Sequence, residues 1–244
     1  RYTGDYSYIP EMGLEVLIGI ARFWHQRVNF SKDKNKYVML GVTGPNEYEN
    51  NVHNNWYTNY LAKWCINYTL TQLTKVKNGY PDDYHRIIGK TKLTDRECDK
   101  WKNVADNMYF PYSKEFGVFL QQDGFLDKDL VDDLPKTDRP INQKWSWDRI
   151  LRSPYIKQAD VLQGFYFFED DFSLEDLEKH FDFYEPFTVH ESSLSPCVHS
   201  IQAAKLGRME QAYNFYLRTS RLDLDDYNKE VEEGLHITSM AGTW

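Results

Sequence analysis

The sequence predicts an all-α fold. Apolar residues recur at spacings of three and four over several segments longer than ten residues. Helix-start signals built on Pro, Thr or Ser stand just ahead of several of those segments. Strand-like alternation nowhere runs to a useful length.

In chain order, the first helix is expected over 11–29, where Leu17, Ile20, Ala21, Trp24 and Val28 share a face and Pro10 stands at the start. Tyr37 to Leu40 is a short apolar run and reads as extended, leading into a polar loop over 41–55. A second stripe, Tyr57, Tyr60, Leu61, Trp64, Cys65 and Tyr68, predicts a helix to about Val76, broken by Gly79-Tyr80-Pro81. Thr94 followed by Glu97 has the form of a capping box and opens a helix to about Tyr109. The segment 116–126 is short and apolar. The acidic stretch 127–143, with Pro135 and Pro140, reads as an irregular surface excursion. Val161, Leu162, Phe165 and Phe168 mark the next helix, and Ser173 to Asp176 caps another. Two more are expected over 194–206 and 208–221, joined by the tight turn Leu206-Gly207-Arg208. The pattern is one of helical hairpins, with long loops after alternate helices and no internal repeat.

A chain of 244 residues can bury a substantial core. Its 16% aromatic content can fill that core or line a cleft with flat rings suited to sugars. The formal charge of −8 argues against a nucleic-acid partner held through phosphates. No apolar run approaches 18 residues, so no membrane span is expected. Three widely spaced cysteines, Cys65, Cys98 and Cys197, without a CxxC pair, fit free thiols in a cytoplasmic setting. The chain opens at Arg1 without a Met and stops at Trp244 in an apolar, Gly-containing stretch, so the expectation is a piece of a longer protein.

Three loops hold the candidate chemistry. The 41–55 loop carries Glu47, Glu49, His53 and five asparagines within fifteen residues. Such a loop on a helical scaffold either carries chemistry or caps the helices beside it. One carboxylic acid that protonates a departing sugar oxygen is half of glycoside cleavage. The other half is a second carboxylate that holds a water, or an incoming phosphate, which needs an anion pocket instead. Glu47 as an acid near neutral pH requires burial or a neighbouring acid such as Glu49. His190-Glu191-Ser192-Ser193-Leu194-Ser195-Pro196 offers hydroxyls and free N–H groups at a helix start, suited to an anion or to ordinary capping. Residues 233–243 form a glycine-containing loop in which Gly234 and Gly242 permit close backbone approach and His236 can donate, unless it is a structural histidine. Ser192 or Ser193 in a Ser–His–Asp triad is a rival, but the Gly-x-Ser-x-Gly elbow is absent. The seven histidines show no metal-ligand spacing.

Taken together, Gly44-Pro45-Asn46-Glu47-Tyr48, Asn54-Asn55-Trp56-Tyr57-Thr58-Asn59, Lys157-Gln158-Ala159-Asp160, His190 to Ser195, and Gly234-Leu235-His236 through Trp244 resemble glycoside hydrolase family 65 over nearly the whole chain. The family comprises inverting disaccharide phosphorylases and a few hydrolases. The resemblance implies an all-α fold that is part of an (α/α)6 barrel. Residues 1–244 would form a single domain, the later half of that barrel, with the flanking β domains lying outside the chain. It implies phosphorolysis of an α-linked glucose disaccharide to β-glucose 1-phosphate. Maltose is the substrate suggested by the 41–51 form, with trehalose, kojibiose and nigerose as alternatives. Glu47 matches the general acid, and Lys157 and Gln158 match residues that hold the glucosyl ring. Ser192, Ser193, Gly234 and His236 match the phosphate site. No metal or organic cofactor is implied, only phosphate as co-substrate. The partners implied are the disaccharide and phosphate, with a homodimer for the full-length enzyme and neither nucleic acid nor membrane. The isolated piece is expected to be inactive. The alternatives are a hydrolase using Glu191, Glu232 or Glu233 as base, and a non-catalytic carbohydrate-binding fragment.

Overall fold

The computed structural model of the chain describes residues 4–128, 134–227 and 229–244. Two compact units divide it: Arg1–Leu40 with Thr58–Phe110, and Gly41–Tyr57 with Pro111–Trp244.

In the first unit, a π-helical turn at Ile9–Gly13 leads into α1, Leu14–Arg27. Leu14, Ile18 and Ala21 form its buried stripe. The π-turn begins two residues ahead of the expected start and α1 ends at Arg27, two residues short of the expected end, because Val28 turns extended and leads into a ribbon of β1, Asn29–Ser31, and β2, Lys36–Val38. Most of α2, Trp56–Gly79, lies here, with Ala62, Ile66 and Val76 buried. The sequence reading stops at Gly79-Tyr80-Pro81 and misses α3, Pro81–Thr91, since a proline that ends one helix also fits the first turn of the next. Thr94 caps α4, Asp95–Asp106, by accepting from the Glu97 N–H at 3.3 Å. Glu97 also takes the Arg22 fork, with Nε at 2.7 Å and Nη2 at 3.0 Å, and so joins α1 to α4.

The second unit holds a small ribbon of β3, Tyr112–Ser113, and β4, Val118–Phe119. After it come the short helices α5, Ile141–Lys144, and α6, Trp147–Arg152. The predicted irregular excursion over 127–143 is thus partly helical at its end; residues 129–133 lie outside the described residues. Next are α7, Val161–Phe167; α8, Leu174–Tyr184; α9, Ser195–Lys205; and α10, Met209–Ser220. Ser173 and Asp176 close a full capping box on α8. Gly207, at φ +73°, ends α9 with the paired bonds Arg208 N–H to Ala203 C=O and Gly207 N–H to Ala204 C=O, which turns the chain into α10. The last element, α11, Ile237–Thr243, corrects the reading of 233–243 as a loop. Gly242 does permit close approach, but to Cys197: a Cβ there would meet the Cys197 Cβ at 2.9 Å.

Trp56 is fully buried in this unit, with Phe119, Phe165 and Phe172 at ring-centroid distances of 5.3, 5.6 and 5.9 Å. Gly164 on α7 lies flat against the indole, where an added Cβ would sit 2.4 Å from Cζ3. Gly164→Ala therefore sets about 1 kcal/mol of helix propensity against a clash with a ring that cannot swing away. We expect a net loss of about 1–3 kcal/mol, read as a lower midpoint in chemical denaturation of the full-length protein. A midpoint at or above wild type would show that the ring yields.

Candidate active site

Every candidate site residue lies in the second unit. The 41–55 loop closes on itself through reciprocal Val42–Val52 backbone bonds at 2.9 Å and through the Gly41 N–H, which donates to His53 Nδ1 at 3.1 Å. Asn51 and Asn54 take left-handed backbone, at φ +54° and +56°, a region asparagine tolerates better than most residues.

A buried carboxylate pins this loop. Asp160 accepts from the Asn46 N–H at 3.0 Å and from Asn55 Nδ2 at 2.9 Å. Gly44 is required beside it, because a Cβ there would lie 2.4 Å from Asn55 Nδ2 and 2.6 Å from Asp160 Oδ2. Asn46 Oδ1 in turn receives the Tyr48 N–H at 3.2 Å and the Lys157 N–H at 2.9 Å. The Gln121 carbonyl accepts from Asn55 Nδ2 at 3.3 Å. Burial raises the Asp160 pKa from 3.8 to about 7, against the two donors that lower it.

This pinning places Glu47 outward. Its side chain is 58% exposed and pairs with the Lys157 ammonium. Glu49 is buried and pairs with Lys128, whose pKa burial lowers to about 8, beside a separate cavity of about 480 Å³ that His53 and Asp123 also line. The expectation that burial or Glu49 sets the environment of Glu47 is thus corrected. The turn closed by the Glu49 N–H on the Asn46 carbonyl at 3.1 Å sends the two acids to different surroundings, and the partner of Glu47 is a cation.

Lys157 and Gln158 stand together at the loop as expected. Gln158 Nε2 donates to the Pro45 carbonyl at 2.6 Å, and its Oε1 accepts from the Ser192 hydroxyl. Gln158 therefore couples the Glu47 loop to the serine loop. Ser192 Oγ also accepts from the Leu194 N–H at 3.3 Å, but neither serine is the N-cap of α9, which begins behind Leu194 without a side-chain cap. The Ser193 carbonyl accepts from the Ser239 hydroxyl at 2.8 Å, bringing α11 to the serine loop. His236, just ahead of α11, is held by carboxylates. Asp223 accepts from its backbone N–H at 2.7 Å and contacts Nδ1 at 2.6 Å, while Glu230 lies 3.5 Å from Nε2. The His236 ring and N–H keep the Asp223 carboxyl below its ordinary pKa, so Asp223 accepts and Nδ1 carries the proton. Gly234, at φ +138°, makes the turn before this histidine.

Glu191, the first candidate base of a hydrolase, accepts three hydrogen bonds. It accepts from the Tyr48 hydroxyl at 2.6 Å and the Ile141 N–H at 2.9 Å on one oxygen, and from Arg139 Nε at 3.1 Å on the other. Burial, then the carboxylate, push the Tyr48 phenol above its usual pKa, which keeps it a donor. Glu232 and Glu233 are exposed on a 3₁₀ turn.

Of these groups Lys157, Glu191 and Glu230 line a cavity of about 610 Å³, together with Arg139, Lys144, Arg218 and Lys229; Glu47, Gln158, Ser192, Ser193, Gly234 and His236 are not in its lining. The two arginines escaped sequence reasoning. Neither belongs to a recognisable motif, and only tertiary folding brings them to the loops: Arg139 donates to the Val189 carbonyl and Arg218 to the His190 carbonyl at 2.5 Å. Behind this loop His190 and His199 are buried with ring centroids 4.5 Å apart, and His190 Nδ1 meets Ser195 Oγ at 2.8 Å. Burial holds His199 down to about 3 and His190 well below its ordinary value, so this Ser–His contact is a neutral structural one, closed to substrate. Among the described residues, no His, Cys, Asp and Glu group is placed to hold a metal ion, no helix is long and apolar enough to cross a membrane, and all three cysteines are free.

A helical scaffold presenting a carboxylate–ammonium pair on the rim of a cation-rich cavity fits a carbohydrate-active enzyme that works with an anion. The sequence profile of the glycosyl hydrolase family 65 central catalytic domain matches residues 1–244, and the chain belongs to that family. It is 54% identical to maltose phosphorylase of Bacillus subtilis (strain 168) over its whole length, covering 32% of that protein. Over 99% of its length it is 42% identical to alpha,alpha-trehalose phosphorylase of Thermoanaerobacter brockii, again covering 32%. A solved structure, a putative kojibiose phosphorylase from the human microbiome, superposes with a TM-score of 0.89 at 39% identity, covering 98% of this chain and 33% of that one. The chain thus spans about a third of the length of these relatives. Its helices, matched to that structure, are those of part of an (α/α)6 barrel.

The Asp160 pin makes a testable demand. Folded Asp160 keeps its proton to about pH 7, whereas an unfolded carboxyl releases it near 3.8. The folded state therefore binds the extra proton in between, and this group's contribution to stability is full below about pH 4 and is lost as pH rises through 7. Asp160→Asn presents one N–H₂ where two donors now point, and should cost about 1–3 kcal/mol. It should also abolish this component of the pH dependence. Urea denaturation of wild type and variant at pH 5 and pH 7.5 checks both; equal slopes with pH would remove Asp160 as the titrating group.

Proposed function

We propose that the protein carrying this chain is an inverting disaccharide phosphorylase, a hexosyltransferase that converts maltose and inorganic phosphate to β-glucose 1-phosphate and glucose. The observation that carries this reading is the Glu47–Lys157 pair beside a cation-lined cavity that also reaches Glu230, the neighbour of His236. The similarity to a maltose phosphorylase supports the choice of substrate. Residues 1–244 serve as the later half of the catalytic barrel. The whole protein acts in the cytoplasm as a homodimer, the isolated chain is inactive, and no metal or organic cofactor takes part.

Lys157 and Gln158 hold the glucosyl ring. As Lys157 turns from Glu47 to a sugar hydroxyl, a Glu47 oxygen is freed to carry the proton. Glu47 gives that proton to the glycosidic oxygen as its bond to the anomeric carbon breaks, and glucose leaves. A phosphate oxygen, held by Ser192, Ser193, Gly234 and His236, forms the new bond from the opposite face. Inversion follows from this single displacement. The hydrogen phosphate and solvent return the proton to Glu47. Phosphate is itself the nucleophile, so no second carboxylate is needed, and Glu191 keeps its three structural bonds to Tyr48, Ile141 and Arg139.

The test is the full-length protein assayed on maltose, trehalose, kojibiose and nigerose with and without phosphate, with the product anomer read by NMR. Phosphate-dependent cleavage of maltose to the β anomer is expected. Turnover without phosphate would favour a hydrolase, and binding without turnover a carbohydrate-binding role. Glu47→Gln should lower turnover by about 10²–10⁴-fold. Glu49→Gln should leave turnover much less affected and lower the melting temperature instead, because it removes the charge opposite buried Lys128. His236→Asn should raise KM for phosphate with little change for the disaccharide, and Ser193→Ala should do so more mildly, by about 0.5–1.5 kcal/mol. Reversal of the two glutamate effects would reassign the acid.

A further inference from the structure

The cations of the 610 Å³ cavity are not equivalent. Arg139 is committed to Glu191 and the Val189 carbonyl, and Lys157 to Glu47. Lys144 and Lys229 are exposed and well hydrated. Arg218 is half-buried, and its hydrogen bond goes to a neutral group, the His190 carbonyl at 2.5 Å. The rest of the guanidinium lies over the Tyr227 ring at 4.7 Å and faces the cavity. Among the described residues no carboxylate lies within ion-pair distance of it. Burial pulls its pKa below the ordinary value, opposed by Tyr227 and Glu191 and reinforced by the neighbouring cation Arg139. A guanidinium so placed has a planar fork of donors free for an oxyanion. Its one anchor, the His190 carbonyl, is two residues from Ser192.

We propose that Arg218 binds the phosphate group directly, supplying the positive charge that the hydroxyls and backbone N–H groups of the Ser192–Ser193 loop lack. The proposal rests on the phosphorolysis reading above. It extends to both forms in which the phosphate appears: the inorganic ion in the forward reaction and the phosphate of the sugar phosphate in reverse. The guanidinium fork replaces part of the hydration shell of the anion, and its bond to His190 fixes the fork against the loop. The aromatic face of Tyr227 keeps the plane from rotating.

The experiment uses the full-length enzyme with Arg218→Gln and Arg218→Lys. Glutamine retains a donor for the His190 carbonyl and loses the charge; lysine retains the charge and loses the fork. Arg218→Gln should raise KM for inorganic phosphate forward, and for β-glucose 1-phosphate in reverse, by about 10- to 100-fold, the worth of a charge-assisted hydrogen bond. KM for the disaccharide should move by less than about 2-fold. Arg218→Lys should recover most of the loss, to within about 3- to 10-fold of wild type. In addition, inorganic phosphate alone should raise the melting temperature of the wild type and not that of Arg218→Gln. If Arg218→Gln loses its cooperative melt, the lysine variant is read alone against wild type, where the same selective rise is expected. Unchanged KM for both phosphate forms in whichever variant folds, or a change confined to the disaccharide, overturns the assignment. A wild type that turns over without phosphate refutes the phosphorolysis reading itself, a result distinct from failure of the arginine variants.

Discussion

The second unit depends on one buried carboxylate. Asp160 stands at the start of α7 and holds two parts of the 41–55 loop at once, the Asn46 N–H and the Asn55 side chain. Everything chemically interesting about that loop follows from this attachment. Asn46, once fixed, passes the constraint to Lys157 and Tyr48 through its Oδ1. Tyr48 then reaches Glu191 on the serine loop. Glu47, between two fixed residues, has no choice but to face outward toward Lys157. A buried acid is a costly element, kept in place here by the two hydrogen bonds it accepts from Asn46 and Asn55. It trades stability for the position of a side chain it never touches.

The chain is acidic overall, yet its charge is unevenly placed. Net charge acts at long range and is screened within about 8–10 Å at ordinary ionic strength. Among the described residues, the wall of the 610 Å³ cavity sets five cations against two carboxylates, one of them paired with Arg139. Asp223 and Glu230 press against His236 from the other side and orient its ring. The acids surplus to this balance lie elsewhere on the chain, such as the cluster Glu169, Asp170 and Asp171 after α7.

Much of this was readable in the sequence, and the boundary is physical. The helices α1 and α2 were legible as helices, but their buried faces were not. Of the residues named for α1 only Ala21 is buried, and of those named for α2 none is, Trp64 being exposed, whereas Ser173 marked α8 through a purely local bond. Short helices with little periodicity were missed: α3 hid behind a proline taken as a stop, and α11 behind its glycine and small residues. The loops that matter were found from composition, since polar turn-forming runs between apolar helices are locally conspicuous. What those loops touch was out of reach. Nothing in the neighbourhood of Arg139 or Arg218 distinguishes them from solvated surface charges, and Asp160 stood inside the Lys157–Asp160 motif without a role; the fold alone gives them their contacts. The assignment of Glu49 as a neighbour of Glu47 failed for a similar reason, because two residues' separation in a loop says nothing about which way each points.

The order in which the two units draw on the chain has a consequence for how the protein is made. The 41–57 segment is flanked on both sides by residues of the first unit, while its partners come far later. Asn46 and Asp160 are 114 residues apart, Glu47 and Lys157 110, and Tyr48 and Glu191 143. On a ribosome adding about 5–20 residues per second, the loop emerges several seconds or more before anything exists to hold it. Its asparagines and acids are suited to that interval, since a polar segment can wait in water without recruiting neighbours. The buried half of the arrangement, Trp56 with its phenylalanines, is less well placed: Phe119 comes first, and Phe165 and Phe172 complete the cover only with α7 and the residues after it. That aromatic stretch, early in the chain and late to be covered, is where a nascent copy of this protein is most exposed to misassociation.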